Sequence, residues 1–225
     1  MKLANPFFDS VFELMMDNDE LSKLFISNIV ELPVTKIEKL PVVLASENIS
    51  ISEYVCHLDF VIETSDGNIL VEIMKAHTPQ QFLKYRLKLG ESYALALLNG
   101  EIKDRYLNSS NTVKTIYLIR NYTNSLNQTI SVMENKIEKT NATESESPSI
   151  EHKSYFVKLT GYQEPMNDLE RFLSLFDVSE SEIIIETEVY PDQYKPILDF
   201  LAEIATDAEL CANLEAKNHE ILNRN

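Results

Sequence analysis

Cysteine is scarce in this 225-residue chain: Cys56 and Cys211 stand alone, with neither metal-ligand spacing nor a disulfide framework. Both are read as buried, reduced thiols. Long apolar runs are missing too. None approaches the roughly 18–20 residues that cross a bilayer, and the opening MKLANPFFDS has no apolar h-region. No membrane partner is expected, and a cytoplasmic location is. No internal repeat appears, which sets aside solenoids and arrays. Basic charge is also short: Asp and Glu outnumber Lys and Arg by 36 to 20, a net charge of −16. A nucleic-acid ligand would normally call for a basic footprint. Here it would have to be local, as in Lys84, Arg86 and Lys88, which precede the next acid, Glu91; the stretch from Glu180 to Glu220 is strongly acidic.

What remains is the composition of a globular protein, 44% apolar and 25% charged. The length suits one domain of ordinary size plus an appendage. PFFDSVFELMMDNDELSKLFISNIVEL predicts two amphipathic helices, with Phe8, Val11, Phe12 and Met15, then Leu21, Leu24, Phe25 and Ile29, at helical spacing. Asp17–Asp19 breaks them and supplies a new N-cap. KIEKL, between Pro33 and Pro41, predicts a short strand. ISISEYVCHLDFVIET and NILVEIMK predict two strands joined at Ser65-Asp66-Gly67, because Asp-Gly tolerates the positive φ of a tight turn.

A helix is expected from Thr78 to Leu98, and VKTIYLIR reads as a buried strand. Residues 121–153, rich in Asn, Ser, Thr, Glu and Lys, are expected to form a polar loop or hairpin extension. SYFVKL restores a strand pattern, DLERFLSLFD is helical, and the tail has Leu198, Leu201, Ile204 and Leu210 facing inward. The expected division is 1–120 for N-terminal helices and core, 121–153 for the polar segment, and 154–225 for a last strand and acidic helices. The expected class is α/β, a mixed sheet with helical ends.

The hairpin carries the chemistry. If Asp66 and Gly67 are the turn residues, Ile62 opposes Val71, Phe60 opposes Ile73, and Asp59 opposes Met74. Leu58, Phe60, Ile62, Ile69, Val71 and Ile73 then share one apolar face. His57, Asp59, Val61, Leu70, Glu72 and Met74 share the other. Asp59 and Glu72 become diagonal neighbours, roughly 7–8 Å apart at the backbone. One hard cation such as Mg²⁺ can bridge carboxylates so placed, since it takes one or two protein carboxylates and keeps other positions for water and phosphate. Two acids on a hairpin face are more often a solvated surface, and it is the surrounding sequence that raises the metal reading.

Beyond the spacing, NPFFDSVFELMMDNDELSKLFISNIVELPVTKIEKLP resembles the opening of the PD-(D/E)XK nuclease family transposases, the Rpn-like recombination-promoting nucleases. There an Asn-Pro precedes an Asp-x-x-Phe helix. LDFVIETSDGNILVEIMKAHTPQQFLKYRLKLGESY is similar to the family's central block of an Asp, a hairpin, an apolar-Glu-x-Gln strand, Lys-Ala and an Arg- and Tyr-rich helix. KTIYLI, YFVKLT and NDLERFLSLFD are similar to later elements, so most of the chain is covered.

The resemblance implies a restriction-endonuclease-like core and metal-dependent cleavage of DNA. It assigns Asp59 and Glu72 as ligands of Mg²⁺ or Mn²⁺, with Asp9 of the first helix as a further contributor, and it leaves room for a homodimer. Lys84, Arg86 and Lys88 would line a phosphate groove. Two positions depart from the pattern. Glu13 stands where many members carry Lys, and Met74 stands where the family has Gln, or Lys in the wider superfamily. Methionine offers no N–H donor and no charge. Lys75 could replace it only through a bulge between Glu72 and Lys75, since regular alternation points it away. His57 shares the face of Asp59 in this register; it is read as a secondary or surface group, with a third metal ligand or general base as the alternative. A chain so altered fits either a weakened nuclease or an inactive relative serving as a binding or regulatory module.

Overall fold

The computed structural model describes residues 1–40, 55–65, 67–76, 112–120, 129–137, 150–159, 161, 165–177, 182–207, 209, 210, 212, 213 and 216. They divide into two compact units, one from Met1–Asn28 with Leu159–Asn225 and one from Ile29–Lys158. The class is α/β with a mixed six-stranded sheet. No helix among the described residues is long and apolar enough to cross a membrane.

The first unit joins the two ends of the chain, which cuts across the expected division at 120 and 153. Two three-residue strands, β1 (Lys2–Ala4) and β8 (Glu182–Ile184), pair antiparallel. The ammonium of Met1 extends this pairing by donating to the Ile185 carbonyl at 2.7 Å. Helices α1 (Asp9–Met16) and α2 (Asp19–Val30) follow β1, as the apolar spacing predicts. Asn18 caps α2, its Oδ1 accepting from the backbone of Glu20 and Leu21. Near the other end, α3 (Asp168–Leu173) starts in a capping box formed by Asn167 and Glu170 and tightens into a 3₁₀ turn, Ser174–Phe176. Helix α4 (Lys195–Thr206) buries Leu198, Leu201 and Ile204 as expected, while Leu210, beyond its end, is half-buried.

Aromatic rings fill this unit. Phe12 meets Phe25 edge-on at 5.7 Å, Phe25 meets Phe176 at 5.7 Å, and Phe172 stacks on Tyr194 at 4.1 Å. All five are fully or almost fully buried.

The second unit is the sheet. Its strands are β2 (Lys36–Leu40), β3 (Val55–Thr64), β4 (Gly67–Ala76), β5 (Thr112–Ile119), β6 (Ile130–Ile137) and β7 (Ile150–Lys158), in the order β2-β3-β4-β5-β7-β6. KIEKL is β2, as the prolines around it indicated. β4, β5 and β7 run parallel to their neighbours in that series, and the other pairs are antiparallel. The polar segment 121–153 contains β6 and the start of β7, which pair antiparallel at one edge. Residues 77–111, which hold the expected helix from Thr78 to Leu98, lie outside the described residues.

The hairpin register differs from the expected one. Thr64 pairs with Gly67, so Gly67 opens β4 instead of completing the turn. Its φ of +108° still uses the freedom of glycine, but at the first residue of the strand. Moving the turn one residue earlier shifts every partner by two. Asp59 opposes Glu72 directly, not Met74; Phe60 opposes Val71, and Ile62 opposes Ile69. A two-residue shift preserves side-chain parity, so the two faces keep their members. Leu58, Phe60, Ile62, Ile69, Val71 and Ile73 are buried on one. Asp59, Leu70, Glu72 and Met74 are buried on the other, with Val61 half-buried beside them.

Candidate metal centre

β-Branched and aromatic residues make β3 and β4 strands, and their parity aims one acid from each at the same side. Directly opposed residues of an antiparallel pair have Cβ atoms about 4.5–5.5 Å apart, closer than the diagonal arrangement expected from the sequence. Asp59 is 0% exposed and Glu72 6%. These acids are no solvated surface.

The pairings carry a row of polar side chains across the sheet from the acids. Glu72 lies beside Thr115 on β5, and Thr115 beside Ser154 on β7, in two parallel ladders. Paired positions point to the same face, so Asp59, Glu72, Thr115 and Ser154 form one polar row, roughly 14–15 Å from end to end. Thr115 and Ser154 are 0% and 1% exposed. The Thr115 hydroxyl donates to Glu72 Oε2 at 3.0 Å.

The adjacent row on this face is apolar: Met74, Tyr117 and Phe156, with Tyr117 and Phe156 stacked at 5.0 Å. On the other side of the acids lie Leu70, buried, and Val61 and Val113, half-buried, so burial lessens in that direction. Two like charges directly opposed at low solvent access repel, and a divalent cation held by both carboxylates would offset that cost. The donor set is oxygen only, which suits Mg²⁺ or Mn²⁺ over softer metals. Among the described residues no group of three or more His, Cys, Asp or Glu side chains gathers. Two carboxylates are the usual protein share of a Mg²⁺ site.

The other residues singled out in the sequence fall as follows. Met74 opposes His57, not Asp59, and is 1% exposed; it stays on the face of the acids, two residues beyond Glu72. Lys75 opposes Cys56, where Leu58 was expected. The β3–β4 ladder runs without a bulge from Val55 with Ala76 to Thr64 with Gly67, so Lys75 lies buried on the face opposite the acids. The regular ladder thus keeps it away from the pair. Lys114 shares that reverse face and donates to Tyr155 Oη at 3.0 Å, while Lys153 pairs with Glu134 at 2.8 Å. Asp9 stands in the first turn of α1, in the other compact unit, where a carboxylate complements the helix dipole. Lys84, Arg86 and Lys88 lie outside the described residues.

Thr115 and Ser154 were not among the sequence candidates. VKTIYLI reads as a uniformly buried strand in which a β-branched threonine passes as a strand former, and only the parallel pairing with β4 brings it to Glu72. Comparison of the chain with protein-family models, with curated proteins and with solved structures finds no match.

Proposed function

We propose that the chain is a metal-dependent endonuclease-like protein of the PD-(D/E)XK superfamily, with a restriction-endonuclease-like core, acting on DNA in the cytoplasm. One observation carries the reading: Asp59 and Glu72 oppose each other directly on one face of a buried hairpin. The resemblance of the central block to the nuclease family transposases supports it. Asp59 and Glu72 hold the cation through carboxylate oxygens. When bound, Mg²⁺ or Mn²⁺ supplies Lewis-acid polarisation of a phosphoryl oxygen and lowers the pKa of a water. The apolar row of Met74 and Tyr117 limits water on one flank of the acids.

A second reading has its own observation. Met74, buried on the face of the acids, has no proton to orient a nucleophile. Electrostatic or acid–base help from that position is typically worth about 10²–10³-fold. A chain without it would keep the fold and the cation and serve as a binding or regulatory module.

Plasmid cleavage in Mg²⁺ or Mn²⁺ tests the nuclease reading. Weak, divalent-dependent nicking that Asp59→Asn abolishes is the expected result. Nicking that survives Asp59→Asn or persists in EDTA would remove the acid pair from the chemistry.

A further inference from the structure

We infer that Thr115 is a positioning residue for the cation centre, acting through Glu72. This role presupposes the metal reading of Asp59 and Glu72 and adds to it a residue on a third strand. Glu72 has a neighbour on each side within its row: Asp59 across the antiparallel ladder, and Thr115 across the parallel one. The Thr115 hydroxyl holds Glu72 Oε2 at 3.0 Å in a buried setting.

Glutamate is a long side chain with several torsions, and two acids can share an ion only when both carboxylates are held in place. Threonine is suited to the task. Its branched Cβ leaves few rotamers on a strand, so the backbone of β5 sets where the hydroxyl stands. That backbone is itself fixed by an unbroken pairing of Leu70–Ala76 with Val113–Ile119. Its single proton, spent on Oε2, ties the carboxylate to β5, the side of β4 away from Asp59, and so restrains the torsions of the glutamate that would hold the ion. A neutral donor does this without adding a cation that would compete with the metal. Partners of this kind, hydrogen-bonded to a ligand rather than to the ion, typically change metal affinity about 10–100-fold when removed.

The row supplies its own control. Ser154 is the next member, and its buried Oγ makes no hydrogen bond among the described residues. If general polarity of the row were what mattered, Ser154 and Thr115 would matter alike. If contact with Glu72 is what matters, only Thr115 should.

Calorimetric titration of the full chain with Mn²⁺ alone, beside a thermal melt of each metal-free protein, separates the cases. Thr115→Val, close to isosteric but without the hydroxyl, is expected to lose about 10–100-fold in affinity. Thr115→Ser should recover most of it, and Ser154→Ala should bind as the parent does. Should Thr115→Val fail to fold, Thr115→Cys keeps the volume with only a weak S–H donor and should also bind more weakly. Parent-like affinity in Thr115→Val or in Thr115→Cys overturns the positioning role, as does an equal loss in Ser154→Ala. Failure of the metal reading looks different: the parent chain takes up no Mn²⁺, or Asp59→Asn binds it unchanged. Either result removes the centre and Thr115 with it.

Discussion

Phe25 and Glu72 are both almost fully buried, and the two units in which they lie use burial in opposite ways. Around Phe25 the interior is aromatic and aliphatic, and its buried polar side chains are small: Asn5, Ser10, Ser22 and Ser174. In the sheet unit the interior contains Asp59, Glu72, Lys75 and Lys114, the buried charged side chains of the described residues. Each apolar side chain withdrawn from water stabilises by roughly 1.5–3 kcal/mol. A buried charge costs several kcal/mol before its partners offset it. Folding alone therefore accounts for the first unit. The second places two acids directly opposite each other on one buried face, an arrangement that apolar packing does not call for.

The largest effect expected on that contrast is in the aromatic unit. Phe25 touches Phe12, Phe172 and Phe176 at ring separations of 5.7–6.2 Å. Phe25→Ala should cost about 3–5 kcal/mol, since a cavity is added to the lost transfer energy. Urea unfolding followed by circular dichroism measures it. A loss below about 1 kcal/mol would mean that the cluster repacks freely and is not a rigid core.

Position 74 tests the sheet unit in turn. Met74→Gln places an amide in a buried row beside Tyr117, at a stability cost of roughly 1–3 kcal/mol. In the nuclease reading the same amide supplies the missing donor, and divalent-dependent cleavage should rise by about 10²–10³-fold. A variant that folds, binds Mn²⁺ and cuts nothing would leave the binding-module reading. Stability and activity moving in opposite directions at one residue is what separates a buried position kept for function from one kept for packing.

How far these regions could be read in advance follows from the same physics. α1, α2 and α4 were legible because apolar side chains recurring every three or four residues line one face of a helix and of no other regular element. β1 and β8 were not, since three residues carry no periodicity and their pairing joins opposite ends of the chain. In the sheet, β2 was legible from the prolines around it and β3 to β5 from branched and aromatic residues, and the shared face of Asp59 and Glu72 survived a misplaced turn because a two-residue shift keeps parity. The partner of Asp59 did not survive it. Asp-Gly announced a tight turn correctly but did not say whether the glycine would sit inside the turn or just after it. Thr115 was illegible for a deeper reason: which strand lies beside β4, and in what register, is a long-range choice that local sequence does not encode.

The smallest expected effect is a pH dependence in the aromatic unit, where Tyr194 brings a polar tip to the ring cluster. Its Oη donates to Asn28 Oδ1 at 3.2 Å while its ring stacks on Phe172. Burial pushes its pKa up to about 12, with the neighbouring charge of Asp168 adding to the rise and a hydrogen bond with Gln193 opposing it. An unfolded tyrosine titrates near about 10. Between these values the unfolded chain has released a proton that the folded chain still holds, so rising pH favours unfolding. The contribution of Tyr194 is therefore complete below about pH 10 and is lost as pH climbs through about 12. Burial raises Tyr190 as well, against a hydrogen bond with Ser174 and the charge of Arg171, so part of the alkaline slope belongs to it. Tyr194→Phe removes one titrating group and, among its hydrogen bonds, the one to Asn28, worth about 1 kcal/mol. Its melting temperature should lie slightly below the parent's at about pH 8 and fall less steeply between about pH 10 and 12. A slope equal to the parent's would mean that Tyr194 ionises as readily folded as unfolded, and that the aromatic unit is wetter at this point than its packing indicates.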